Sequence, residues 1–62
     1  MSIKVYTVVT RNKDWSETNR NFLLKSNAVI YARSKENYVR TFEWKTEEPR
    51  LAEDYIQWKR GW

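Results

Sequence analysis

Neither cysteine nor histidine occurs anywhere in the chain, and glycine and proline occur once each, at Gly61 and Pro49. Each absence removes a class of function. Without cysteine there is no disulfide framework and no thiolate metal site, and without histidine the commonest metal ligand is gone. The same two gaps take away the usual general base and the most nucleophilic side chain, and the serines and threonines have no evident activating partner. A single glycine cannot build a phosphate-cradling loop, and no carboxylate spacing matches a calcium loop. No apolar run approaches the roughly 20 residues of a spanning helix. The opening MSIKVYTVV is interrupted by Tyr6 and Thr7 and lacks a small-residue cleavage site, so no secretory signal or membrane association is expected, and the cytoplasm is the expected location. The expectation is a protein without enzymatic activity, cofactor or metal.

What the chain has instead is aromatic mass. It carries four Trp, four Tyr and two Phe in 62 residues, a length that admits one domain, spanning 1–62, close to the lower limit for folding on a core without a staple. Each large ring buries roughly 150 to 250 Å², so most rings are expected in the core. The formal charge of +4 is unevenly spread: residues 1–45 hold nine cations against four anions, and residues 46–62 hold three against four. A basic body of this kind suits nucleic acid, an acidic protein surface or solubility.

Residues 3–11, IKVYTVVTR, are rich in β-branched side chains and read as a strand. Turn formers dominate residues 12–19. Further strands are expected at about 21–25 and 28–33, joined by a tight turn at Ser26-Asn27. Ser34 then reads as an N-cap for a helix carrying Tyr38, Val39 and Phe42 at helical spacing. Pro49 opens a second helix with Leu51, Tyr55, Trp58 and Trp62 along one stripe, closed by Lys59, Arg60 and a left-handed Gly61, with Trp62 folding back onto the last turn. The pair Glu53-Asp54 reads as a solvated helix face within reach of Arg50. The fold expected is a small α+β domain: a three-stranded, mainly antiparallel sheet followed by two helices packed on one face. If Asp14 and Glu17 form a capping box, residues 15–25 become helical and the order is β-α-β-α-α.

The candidate binding residues are Trp15, Arg11, Lys13, Arg20, Arg33, Trp58, Arg60 and Trp62. Trp15 stands alone in a polar loop, where a tryptophan is either a lid or an anchor. Trp, Tyr and Arg concentrate binding energy at protein interfaces. The same residues, interleaved with Tyr6, Phe22 and Tyr31, could stack on bases with cations around them. No RNP run, KH loop, zinc finger or helix-turn-helix pattern accompanies them. Trp44 is expected to plug the corner between the two helices.

In its compact basic composition without His or Cys, and in the stretch VIYARSKENYVRTF, the chain resembles the small accessory proteins encoded by phages and other mobile elements. The resemblance covers the style of the whole chain and assigns no site residue. It implies a protein that binds and redirects a host factor, or one that handles phage nucleic acid. A stoichiometric protein partner is expected ahead of nucleic acid, and homodimerisation is compatible with the open edges of so short a sheet.

Overall fold

A nine-residue strand, β1 (Ile3–Arg11), forms the middle of the sheet, flanked by β2 (Glu17–Phe22) and β3 (Tyr38–Thr46), both antiparallel to it. The computed structural model of the chain describes residues 2–61. Two helices, α1 (Lys25–Ser34) and α2 (Tyr55–Arg60), are interleaved with the strands in the order β-β-α-β-α, and a 3-10 turn at Pro49–Leu51 precedes α2. A small α+β fold with a three-stranded antiparallel sheet and two helices is therefore what the sequence encodes.

Because side chains alternate across a strand, β1 serves two cores. Val8 joins Phe22 and Ala28 of α1 on one face, with Tyr6, Tyr31 and Ala32 packed around them. Val5 joins Leu23 and Ala52 on the other, with Ile3, Trp44, Tyr55 and Trp58 around them. The helices thus lie on opposite faces, not on one. Both faces of β1 are covered, which explains its nearly continuous run of buried residues from Thr7 to Thr10.

Several local expectations are corrected. Residues 28–33 are helical because Ala28, Tyr31 and Ala32, at i, i+3 and i+4, all pack on the sheet. Ser26 and Asn27 therefore lie in the first turn of α1, with no hairpin there. Ser34 is at the helix C-terminus, where its hydroxyl donates to the Tyr31 carbonyl at 2.7 Å. Residues 38–46 are a strand, and residues 17–22 are too, so neither expected order holds. The single long C-terminal helix is broken at Ala52, whose ψ of 145° is extended. Gly61 follows α2 with φ −74° and ψ −3°, right-handed where a left-handed stop was expected. A Cβ there would sit 3.3 Å from the Trp58 carbonyl oxygen, so glycine relieves crowding and not a dihedral. The expected fold-back of Trp62 lies outside the described residues.

Asp54 is the largest correction. It is 8% exposed, not solvated. Its carboxylate accepts hydrogen bonds from the backbone N–H groups of Leu23 (2.7 Å) and Leu24 (3.0 Å) and from the Asn27 side chain (2.9 Å). Leu24, the residue that precedes α1, has no side-chain cap of its own. The Asp54 carboxylate binds the N–H of this N-cap residue and so stands at the positive end of the helix dipole, where a negative charge is stabilising. Glu53, for its part, pairs with Arg20 and not with Arg50, and its N–H donates to the Asn21 carbonyl at 2.9 Å, covering part of the outer edge of β2.

Candidate functional site

The loop between β1 and β2 is held by hydrogen bonds at almost every position. The Asn12 N–H donates to the Ser16 carbonyl (2.8 Å) and the Trp15 N–H to the Asn12 carbonyl (3.0 Å). The Asn12 side chain donates to the Ser16 and Thr18 hydroxyls, each at 3.0 Å. Asp14 accepts from both the hydroxyl (2.6 Å) and the N–H (3.1 Å) of Ser16. Those bonds, the hydroxyl's first, hold the Asp14 carboxyl below the usual carboxylate range.

This is a three-residue hairpin loop, Lys13-Asp14-Trp15, whose last residue is left-handed: Trp15 has φ +73°, the one non-glycine residue with positive φ among those described. Hairpins of this length favour glycine at that position, because a Cβ there crowds the following carbonyl. Trp15 is nonetheless 77% exposed. Its ring makes one specific contact, with the Arg11 guanidinium carbon 5.8 Å from the ring centroid. Of the two arrangements expected for this ring, tucked back over the domain or left out in solvent, it takes the second.

Arg11 leads from this tip onto the sheet face that also bears the Val5 core. Glu17 sits opposite Arg11 across the strand pair, accepts from Arg11 Nη2 at 3.3 Å and forms an ion pair with Arg40 Nη1 at 3.8 Å. These exposed ion pairs contribute little stability, but they fix where two guanidinium groups stand. Val9 places Arg40 and Asn19 to either side of itself, and Thr7 does the same with Phe42 and Asn21. Phe42 is 41% exposed. The C-terminal segment packs on Val5, one row further along. Trp15, Phe42, Arg11 and Arg40 therefore share one region of exposed rings and cations.

Beneath that region a hydrogen-bond chain crosses all three strands. The Trp44 indole N–H donates to the Thr7 hydroxyl at 2.7 Å, and that hydroxyl donates to the Asn21 side-chain oxygen at 2.7 Å. Trp44 is thus a strand residue that ties the sheet together, where a plug between helices was expected. Among the described residues, no buried side-chain nitrogen or oxygen lacks a partner.

The other candidates are dispersed. Lys13 is exposed in the hairpin loop beside Trp15. Arg20 faces α1, bound to Glu53 and stacked 5.4 Å from the Tyr31 ring. Arg33 lies along a groove between α1 and β3. Trp58 packs on the Val5–Leu23–Ala52 core, with its ring centroid 6.0 Å from that of Tyr55. Arg60 flanks a shallow depression near Phe22 and Ile56. Trp62 lies outside the described residues. The structure brings Arg11, Lys13 and Trp15 together and adds Arg40 and Phe42, which sequence reasoning placed inside a helix. Strict alternation of apolar and charged residues in Phe42-Glu43-Trp44-Lys45 was the available signal for a strand.

Among the described residues, no group of His, Cys, Asp or Glu is placed to hold a metal ion, and no helix is long and apolar enough to cross a membrane. No family model, curated protein or solved structure matches the chain.

Proposed function

We propose that the chain is a small non-enzymatic binding module, of the kind phages supply as accessory proteins, that grips a protein partner stoichiometrically through the tip of its first hairpin. The observation that carries this reading is Trp15: a large ring in a left-handed position that favours glycine, exposed to solvent and held by a loop whose hydrogen bonds are already made. Local strain at an exposed aromatic gives the fold nothing in return, and such departures from local preference concentrate at functional sites. A rigid indole beside an arginine has the composition of an interface anchor, and its pre-organisation lowers the ordering cost of binding.

The test is capture of partners from a host lysate by the immobilised wild-type chain and by Trp15→Gly. The expected result is one stoichiometric protein retained by the wild type, with affinity lower by about 30-fold or more in the variant, as for a hot-spot residue worth about 2 kcal/mol. Equal capture by both would refute the anchor.

The clustering of Arg11, Arg40 and Lys13 around Trp15 and Phe42 supports a second reading, in which bases stack on the rings and phosphates meet the cations. Glu17 weighs against it, since it neutralises part of that charge. Quenching of tryptophan emission by single-stranded DNA or RNA, with affinity falling steeply as salt rises, would replace the protein reading with this one.

A further inference from the structure

The two edges of the sheet are treated differently. The outer edge of β2 is met by the Glu53 backbone, whereas among the described residues no backbone hydrogen bond reaches the outer edge of β3. Beside that bare edge, on the face opposite the Trp15 region, a groove of about 470 Å³ runs between α1 and β3, floored by Tyr6, Ala28, Ala32 and Tyr38. Val29, on its wall, is exposed.

Lys25 and Arg33 stand along the same groove at opposite ends of α1. Among the described residues neither has a carboxylate within ion-pair distance; Glu43, also in the groove, is taken by Lys4 at 3.6 Å. Eight residues of helix rise about 12 Å, and four residues of an extended strand span about 13 Å. Two carboxylates at i and i+4 of a strand lying in the groove would therefore face the two cations, with the side chain at i+2 over the apolar floor.

We infer that the β3 edge and the α1–β3 groove form a second binding surface, which takes an extended partner segment of the pattern acidic–x–apolar–x–acidic by strand addition. Main-chain hydrogen bonds to residues 40–46 supply affinity, and the groove reads alternate side chains. The bulge at Val39, where the register with β1 shifts between Val9 and Thr10, ends the usable edge. A second copy of this chain fits less well on charge: on the groove side its own β3 offers Thr41, Glu43 and Lys45, one acid with a lysine two positions on where the groove asks for two acids four apart. This surface is separate from the hairpin tip and does not rest on Trp15.

The experiment is selection of random twelve-residue displayed peptides on the intact chain. Fluorescence anisotropy and amide chemical-shift mapping with the fluorescein-labelled consensus peptide follow. The expected consensus holds two acids four apart around an apolar residue, perturbs the amides of 40–46 and of Ala28 and Ala32, and loses at least tenfold in affinity with Lys25→Glu/Arg33→Glu. Both substituted positions are exposed, so the fold is kept, and Trp15→Gly leaves this binding within twofold. A consensus without the acidic pair, shifts confined to the hairpin tip, no enriched sequence, or a dimer with protected β3 amides would each overturn the inference.

Discussion

Replacing a tryptophan by glycine in a small domain ordinarily removes core, at a cost of about 3 to 5 kcal/mol when the ring is buried. Trp15→Gly should behave otherwise. The left-handed backbone at this position costs a residue with a Cβ about 1 to 2 kcal/mol, a cost glycine does not carry. Against that gain stand the greater freedom of glycine in the unfolded chain, about 0.4 to 1 kcal/mol, and the exposed contact with Arg11, about 0.5 kcal/mol. The terms nearly cancel, so the variant should lie within about 0.5 kcal/mol of the wild type, a shift of about 4 °C or less in Tm for a domain of this size. Urea denaturation followed by far-UV circular dichroism, which does not depend on the lost fluorophore, measures this directly. A loss above about 2 kcal/mol would mean that the ring holds the fold together, and the argument for an anchor would fail with it.

Removing the Asp54 carboxylate should be far more damaging. Asp54→Ala leaves the Leu23 and Leu24 N–H groups without their acceptor and is expected to cost about 2 to 4 kcal/mol, a large part of the total stability of such a chain; the urea midpoint and faster amide exchange at Leu23 and Leu24 report it. Thr7→Val keeps the shape of the buried side chain but strands the Trp44 indole N–H, at about 1 to 3 kcal/mol, and a double-mutant cycle with Trp44→Phe should recover much of that loss. The Asp14 carboxyl is depressed, so its bonds to Ser16 are present at neutral pH and are lost as pH falls through its folded value. An NMR titration of the Ser16 amide should therefore show a midpoint below the ordinary carboxylate range, absent in Asp14→Asn.

The parts of the fold that local sequence could express were legible. β1 has a dense β-branched run, and the 12–16 turn has Asn, Asp and Ser at the positions that bond it. The exchange of helix and strand after residue 25 was not legible, for identifiable reasons. Ala28-Val29-Ile30-Tyr31 is a good strand by composition, Ser26-Asn27 before it reads as a turn, and Leu24 at the N-cap has no capping side chain; the carboxylate that binds the Leu24 N–H comes from Asp54, thirty residues on. Tyr38, Val39 and Phe42 fit helical spacing only because a bulge at Val39 disturbs the alternation that the rest of β3 obeys. At the candidate surface, Trp15 and Arg11 could be named because both belong to one short hairpin tip. Arg40 and Phe42 join them only through strand register, which no local pattern records.

The remote carboxylate also sets an order in time. A ten-residue helix is too short to persist on its own in water, and the N–H groups of Leu23 and Leu24 that lead into α1 lack their carboxylate acceptor until residue 54 is in place. A nascent chain that has emerged only as far as residue 34 therefore holds β1, β2 and a segment rich in Val, Ile and Tyr that is still free to pair as a strand. Commitment of that segment to helix waits for residue 54, so α1 and the docked segment that carries Asp54 should form in a single step.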